Sequence, residues 1–378
     1  MDLDAFGNDL RQLGAELRQE CGPADLAHLR RIERWGYTAS LLGWATAWIA
    51  PNPLSILALS TGRFARWTMV GHHVGHRGYD RLGRAGKPFG EGARRVVDWF
   101  DWLVPAAWKH EHNVLHHYRL NEAGDPDLVE ENLRWLRESR WPRPARYLLV
   151  FFFALTWKWL YYAPNTIAEL HRADQKVDGA GADLPRGVWT WDPRTPAGRD
   201  LWLRSVLPYA SVHFVLLPAL FLLVSPWAAA SVLVNQVLAE LLTNLHSFAV
   251  IVPNHAGGDL YRFETPTRSK QEFLLRQVLG SANFRTGGDL NDFAHGFLNY
   301  QIEHHLWPDL PMAAYQRAQP RVQALCARHG VPYVQESVWR RLGRTVRVMV
   351  GEETMRVHQP VPSVAQAADG SRTAAPAA

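Results

Sequence analysis

The chain has only two cysteines, Cys21 and Cys326, among 378 residues. Two thiols so far apart exclude a disulfide scaffold and any zinc or iron–sulfur site built from cysteines. Concentrated charge is also lacking, because 41 Lys and Arg are balanced by 36 Asp and Glu and the basic residues are spread along the sequence. We therefore expect no nucleic-acid partner. The amino-terminal residues lack a basic start followed by an apolar run, so no secretory signal peptide is predicted.

Two residue types are abundant instead. The chain contains 17 tryptophans and 17 histidines, and nine of the histidines fall in three short windows. Tryptophan is enriched where membrane proteins meet the headgroup layer, which gives one cause for the first excess. The histidines need a cause of their own.

Two apolar runs, residues 206–223 and 228–252, are separated by Ser-Pro-Trp. Roughly 18 to 25 residues of helix cross a ~30 Å hydrocarbon core, so these runs predict a transmembrane hairpin. A shorter hairpin is predicted from residues 35–50 and 54–62, turning at Pro51-Asn52-Pro53. One Pro-kinked span over the same residues is the alternative.

The three histidine windows each have spacing suited to metal binding. His72 and His76 are four residues apart, as are His112 and His116, so on a helix each pair shares one face. His117 would then be turned by about 100° from His116. His304 and His305 are adjacent and diverge, so each could serve a different ion of a pair. Together the windows predict a metal site, although imidazole suits iron, zinc, copper and nickel alike.

The windows must meet on one face of the membrane, so an even number of crossings must separate them. The second hairpin already supplies two crossings. Residues 147–162 are therefore predicted to be interfacial or re-entrant, with Lys158 snorkelling to water and Trp157, Trp159, Tyr161 and Tyr162 at headgroup level. The 13 Lys and Arg between residues 71 and 146 place this face in the cytoplasm.

At these residues the chain resembles the membrane-bound fatty acid desaturases, which carry three histidine boxes in this order. The third window lies within NYQIEHHLWP, residues 299–308, whose Gln301 resembles the front-end branch of that family, as does the run LCARHGV at 325–331. The second window continues into HHY and GDPD, and Asn254-His255 resembles a further ligand-bearing segment. The resemblance covers residues 35–350.

The resemblance implies an all-α membrane protein with about four transmembrane helices in two hairpins beneath a cytoplasmic helical cap. The cap would hold two iron ions, whose implied ligands are His72, His76, His112, His116, His117, His255, His304 and His305. Residues implied around them are His73, Asn254, Gln301, Glu303, Asp125, Asp127 and His295. Of these, Asn254 and Gln301 would make weak or water-mediated contacts, Asp125, Asp127 and Glu303 would orient imidazoles, and His295 is not expected to bind directly.

The same resemblance divides the chain into a cytoplasmic segment (1–34), the desaturase domain (35–350) and a disordered tail (351–378). The chain departs from the family at His73, where an aspartate is common, and in having no cytochrome b5 domain before the membrane region. Electrons are therefore expected from a separate protein of the ferredoxin or cytochrome b5 type. The Arg-rich run 340–347 would bind either that donor or anionic lipid headgroups.

Two further residues have open interpretations. Glu240, inside the last apolar run, should face the bundle interior, either lining a substrate tunnel or bonded to Gln236, Thr243 or Asn244. His246 is expected to be a packing residue.

Three functions remain open at this point. The first is O₂-dependent desaturation of a fatty acyl chain, the second is hydroxylation or ketolation of a lipid on the same scaffold, and the third is a membrane metal transporter or sensor. The residues flanking the third window favour desaturation.

Overall fold

The computed structural model describes residues 1–82, 100–177 and 190–358, which are mostly helical. Its α-helices are Leu3–Glu20 (α1), Pro23–Ala47 (α2), Pro53–Phe64 (α3), His72–Gly75 (α4), Pro105–Trp108 (α5), Val129–Asn132 (α6), Arg134–Arg137 (α7), Arg143–Trp157 (α8), Ala163–Val177 (α9), Pro196–Leu201 (α10), Leu207–Ala210 (α11), Leu217–Leu220 (α12), Pro226–Ile251 (α13), Lys270–Leu279 (α14), Asp289–Ala294 (α15), Gln301–Leu306 (α16), Met312–His329 (α17) and Val338–Met349 (α18). Two short strands, Tyr261–Arg262 (β1) and Arg356–Val357 (β2), pair in parallel.

Wider or tighter helical turns join several of these helices end to end. The π-helical segments are Ala65–Gly71, Lys109–His116, Lys158–Tyr162, Trp202–Val206 and Ser211–Leu216, and the 3₁₀ segments are Asp80–Leu82, Phe221–Leu223, Val252–Asn254 and Leu298–Tyr300. As a result α3 continues without a break into α4, and residues 196–223 form one long helix.

Helices α2 and α3 form an antiparallel hairpin, as the sequence predicted in preference to one kinked helix. The Asn52 side chain accepts a hydrogen bond of 2.8 Å from the Ser55 N–H and so caps α3 at the turn. The helices approach closely at Gly62, where an added Cβ would lie 2.0 Å from Ser40 Oγ. A larger residue at position 62 would force the Ser40 side chain to move.

A second hairpin consists of the Pro196–Leu223 helix and α13, joined at Ser225, which caps α13. Residues 196–223 and 226–254 are long and apolar enough to cross a membrane. The two hairpin turns meet, because Asn235 Oδ1 accepts from the Asn52 N–H at 2.9 Å and Trp227 Nε1 donates to the Ile49 carbonyl at 2.9 Å. The opposite ends of the hairpins lead into the segments that carry the histidines.

Large apolar side chains cover the outer faces of both hairpins. Leu41 on α2 is 70% exposed and Leu223 is 91% exposed, and Leu57, Val215 and Leu220 are more than half exposed. An apolar surface this extensive is typical of helices that face lipid.

Helix α1 packs against α14 and α17. Phe6, Leu10, Leu13 and Leu17 recur at helical spacing on one face and are buried in a core shared with these two helices. Arg18 binds Asp309 through two hydrogen bonds of 2.9 and 2.7 Å. Helix α1 therefore belongs to the same packed core as the third histidine window.

The expected segment boundaries differ from what the structure shows. Helix α2 runs through residue 35 without interruption, because its apolar face is continuous there. Residues 351–358, assigned to the disordered tail, have defined structure: Met355 is buried and β2 pairs with β1. Residues 359–378 lie outside the described part of the chain.

The prediction that Lys158 snorkels to water is wrong. Its ammonium group is buried, lies 2.9 Å from Asp101 Oδ2 and sits 4.3 Å from the Trp67 ring centroid. Trp157 and Tyr162 are buried as well, since both pack against Trp67 rather than at headgroup level. The buried Asp101 carboxylate balances the charge of Lys158, which the sequence alone had predicted to be exposed to water.

Glu240 faces the bundle interior, as expected, but with different partners. Its carboxylate accepts hydrogen bonds of 2.8 Å from Trp102 Nε1 and from the Tyr209 hydroxyl, and Arg63 forms an ion pair with it at 3.1 Å. None of these partners lies one turn away on its own helix, because the bundle interior offers stronger donors.

Replacing Lys158 with methionine should leave the buried Asp101 charge without its cation and lower the free energy of unfolding by about 3 to 5 kcal/mol. The double variant Lys158→Met, Asp101→Asn should recover most of that loss. Thermal unfolding in detergent micelles measures both. Equal destabilisation by the single and double variants would contradict the importance of this pair.

Candidate metal centre

The first histidine window is delivered by the first hairpin. Helix α3 passes through the π-helical segment Ala65–Gly71 into α4, which carries His72, His73 and Val74. His72 and His76 project together, with ring centroids 4.9 Å apart. The His73 ring turns aside, and its Nδ1 donates to the Met69 carbonyl at 2.7 Å.

The second window lies on the π-helical segment Lys109–His116, which ends with the His117 N–H donating to the His112 carbonyl. A turn closed from residue i to i+5 is wider than an α-helical turn, so positions i, i+4 and i+5 share one face. His112, His116 and His117 therefore all point inward. The divergence of His117 expected for an α-helix is replaced by this common orientation.

The third window lies on α16, where His304 and His305 diverge with ring centroids 5.7 Å apart. His255 follows the 3₁₀ segment Val252–Asn254 at the end of α13. The second hairpin therefore delivers a histidine in the same way as the first.

The eight histidines form two adjoining groups. One ligand atom from each of His72, His76, His112 and His304 lies within 4.8 Å of the others, and the same holds for His116, His255 and His305. His117 lies between the groups, with its ring centroid 4.5 Å from that of His76 and 4.3 Å from that of His305. Each group could hold one metal ion.

These imidazoles are buried, and several of their ring nitrogens have no partner. All eight are at most 7% exposed. Both ring nitrogens of His112 and of His117, together with Nε2 of His76 and of His305, have no hydrogen-bond partner in the described chain. Unpaired buried nitrogens that converge on two points are the expected geometry of a metal site whose ions would complete the bonding.

Burial also keeps the imidazoles neutral. Loss of hydration, followed by repulsion from neighbouring imidazoles, lowers the pKa of His304 and of His305 well below the usual range. His116 is the exception: burial is the largest single influence and lowers its pKa, but the Asp125 and Asp127 carboxylates together raise it, so the net shift is upward. Neutral imidazole is the form that binds metal.

Three side chains form hydrogen bonds with the Nδ1 atoms of three of the imidazoles and so fix the orientation of these rings. His116 Nδ1 lies 2.9 Å from Asp125 Oδ1, and His305 Nδ1 lies 3.0 Å from Gln277 Oε1. Both oxygens are acceptors, so each Nδ1 carries the proton and each Nε2 is left free to bind metal. His304 Nδ1 likewise lies 3.2 Å from the Tyr315 hydroxyl, which also reaches the Trp307 carbonyl at 3.1 Å.

The remaining site candidates occupy different positions. Gln301 Nε2 lies 2.9 Å from His255 Nε2, and Asn254 Nδ2 donates to Gln301 Oε1 at 3.2 Å. Asp127 Oδ2 is 3.9 Å from His116 Nδ1, and Asp127 could form a further metal-binding group with His112 and His116.

Glu303 accepts from Asn283 and from Tyr333, both at 2.8 Å, rather than orienting an imidazole. Burial raises the pKa of Glu303 to about 7, opposed by these two hydrogen bonds. His295 Nδ1 donates to the Asn291 carbonyl within its own helical turn, outside both groups. His246 stacks on Phe64 with centroids 3.9 Å apart and donates to the Ala294 carbonyl, as expected of a packing residue.

Sequence reasoning missed Gln277 and Tyr315, because no local pattern marks a polar residue whose partner lies on another helix. Tyr315 is also linked to α1. The Trp307 indole lies so close to Gly14 that an added Cβ there would be 2.4 Å from Nε1. The helical spacing of the apolar residues in α1 was the feature of the sequence that could have predicted the packing of this helix into the core.

The Arg-rich run 340–347 is mostly neutralised within the protein. Arg341 is buried and forms hydrogen bonds of 2.6 and 2.8 Å with Asp259. Arg344 pairs with Glu336 at 3.0 Å and Arg347 with Glu353 at 2.9 Å. Three of the four arginines in the run therefore have acidic partners within the protein, and Arg340 is exposed.

Comparisons with known proteins agree with this geometry. The chain is 29% identical to the NADPH-dependent stearoyl-CoA 9-desaturase of Mycobacterium tuberculosis, over 92% of this chain and 82% of that protein. It is 28% identical to the Delta(8)-fatty-acid desaturase of Euglena gracilis, over 60% of this chain and 51% of that protein. The acyl-lipid (7-3)-desaturase of Rebecca salina is also 28% identical, over 66% and 54%.

No solved structure gives a significant match. The family model for fatty acid desaturase matches residues 42–337, which include all three histidine windows and His255. The chain therefore belongs to the fatty acid desaturase family.

Proposed function

We propose that this desaturase introduces a C=C bond into a long-chain fatty acyl group at two iron ions, with O₂ as co-substrate. The observation that carries the proposal is the pair of adjoining imidazole groups with His117 between them. Two iron ions with O₂ supply an oxidant strong enough to remove hydrogen from unactivated methylenes, which no side chain can do.

The proposed ligands of one ion are His72, His76, His112 and His304, and those of the other are His116, His255 and His305. His117 has both ring nitrogens free and is close enough to serve either ion. Asp125, Gln277 and Tyr315 hold the rings in orientation, and Asn254 and Gln301 make weak or water-mediated contacts beside His255. Neutral ligands leave the ions with positive charge that the surrounding carboxylates partly offset.

The protein is proposed to cross the membrane four times in two hairpins, with the metal centre on the cytoplasmic face. The exposed apolar faces of α2, α3 and α13 and the joined hairpin turns support this arrangement. The acyl chain would then enter from the bilayer between the hairpins and pass the histidines at a fixed depth. A buried site also keeps bulk water away from the reacting carbons.

The proposed carrier of the acyl chain is coenzyme A. The support is that the relative matching 92% of this chain is named a stearoyl-CoA desaturase, whereas the acyl-lipid relative matches 66%. Thin-layer separation of labelled acyl-CoA and lipid fractions after a short incubation distinguishes the carriers. Label that first becomes unsaturated in the lipid fraction would contradict coenzyme A.

The primary test is a fatty acid profile by gas chromatography–mass spectrometry from a host that expresses the chain with an electron donor. The wild type should yield a new unsaturated acyl chain, and the His304→Ala, His305→Ala variant should yield none, because each ion loses a ligand. His295→Ala is the matched control and should keep the product, since the His295 imidazole bonds the Asn291 carbonyl and lies outside both histidine groups. A hydroxylated product would contradict desaturation.

A second prediction concerns Gln277. Gln277→Leu removes the acceptor that fixes His305, so iron affinity should fall by about 10- to 100-fold, whereas Gln277→Glu keeps an acceptor and should retain most of it. Competition with a chelator measures the affinity. Gln12→Leu, on the exposed side of α1, is the control and should change nothing. Unaltered affinity in Gln277→Leu would remove this residue from the site.

A further inference from the structure

The electron balance of desaturation requires an entry point for electrons, given the proposed function. Breaking two C–H bonds to form one C=C bond releases two electrons and two protons. Reducing one O₂ to two waters takes four of each, so two electrons and two protons must come from outside. The eight histidines are at most 7% exposed, so these electrons must cross a layer of protein.

The second histidine window has exposed apolar side chains on its outer side. The segment Lys109–His116 turns its histidines inward, while Val114 on its outer side is 51% exposed and Tyr118, just after it, is 67% exposed. Tyr118 is joined covalently to His117, which lies between the two metal groups. The exposed Tyr118 is therefore the direct neighbour in the chain of a buried histidine of the centre.

A second element borders the same surface and also leads inward. Phe273 on α14 contacts Tyr118 with ring centroids 6.0 Å apart. One turn further along α14, Gln277 binds the His305 imidazole at 3.0 Å. The surface is thus connected to the centre by two short routes, one through His117 and one through His305.

Three exposed basic residues, Arg119, Arg268 and Lys270, lie within a few residues of Tyr118 or Phe273 in the chain. Among the described residues none of the three has a carboxylate within ion-pair distance, although Arg119 and Arg268 interact electrostatically with Glu122 and Glu272. The neighbouring acids are already paired, Glu122 with Arg276 at 2.8 Å and Glu264 with Arg262 at 3.2 Å. The rim is therefore positive, in contrast to the internally neutralised helix α18.

We propose that Val114, Tyr118 and Phe273, with the basic rim of Arg119, Arg268 and Lys270, form the docking surface for an acidic one-electron carrier of the [2Fe–2S] ferredoxin type. The apolar centre excludes water and brings the carrier's cluster close to His117, and the rim steers the acidic partner. Two reduced carriers, each oxidised by one electron, supply the two electrons of one turnover, and the two protons come from solvent.

The test uses the iron-loaded protein in lipid nanodiscs and a reduced acidic [2Fe–2S] ferredoxin as the probe. Stopped-flow absorbance gives the second-order rate constant of ferredoxin oxidation. In Arg119→Glu, Lys270→Glu this constant should fall at least ~10-fold at low salt and lose its dependence on ionic strength. Arg140→Glu, Arg340→Glu carries the same charge change on other exposed sites and should behave as the wild type.

A single turnover separates this proposal from the proposed function. The protein is reduced without O₂ by dithionite, a small reductant that needs no docking surface, the excess dithionite is removed, and acyl substrate and O₂ are then added. The two double variants should bind as much iron and form as much product with dithionite as the wild type. Wild-type protein that binds no iron, or makes no product with dithionite, would overturn the proposed function itself. If dithionite supports turnover but ferredoxin fails to reduce the wild type, or reacts equally with both double variants, the docking surface is overturned alone.

Discussion

The burial of eight imidazoles in one place is the constraint on which the rest of the structure depends. Seven of their ring nitrogens lack a partner in the described chain, two each on His112 and His117 and one each on His76, His255 and His305. A buried polar group left unbonded costs about 1 to 3 kcal/mol, and protonation offers no relief because burial disfavours the charged ring. The fold tolerates this cluster only because metal ions can complete it, so the helices, hairpins and hydrogen bonds around it serve to hold the nitrogens in place.

The two helical hairpins help to position the metal centre. Their turns are tied together by Asn52, Asn235 and Trp227, and from that end α3 and α13 run in the same direction. Each ends in a short segment that presents histidines, α4 in one case and His255 in the other. Because the turns are held together, the far ends of α3 and α13 lie near each other. The histidine-bearing segments that follow these helices therefore meet without a long connecting loop.

Sequence patterns predicted what depends on local order along the chain. The spacing of the histidines, the Pro-Asn-Pro turn and the two apolar runs of the second hairpin all correspond to features of the structure, because each is set by residues within a few turns of one another. Contacts between distant elements were not predictable in this way. Asp101 neutralises Lys158 from 57 residues away, and Tyr315 reaches His304 from another helix. The inward orientation of His117 depended on a π-helical turn, which the spacing alone did not distinguish from an α-helical one.

The position of α1 has a consequence for the order in which the protein assembles. Helix α1 precedes every other described helix in the chain, yet its Arg18 binds Asp309, 291 residues later. Its apolar face packs against α14 and α17, so it is buried only after both of these helices have been synthesised. The third histidine window lies on α16, between α14 and α17 in the chain, and its neighbour Trp307 packs against α1. The metal centre is therefore completed only after most of the described helices have been made.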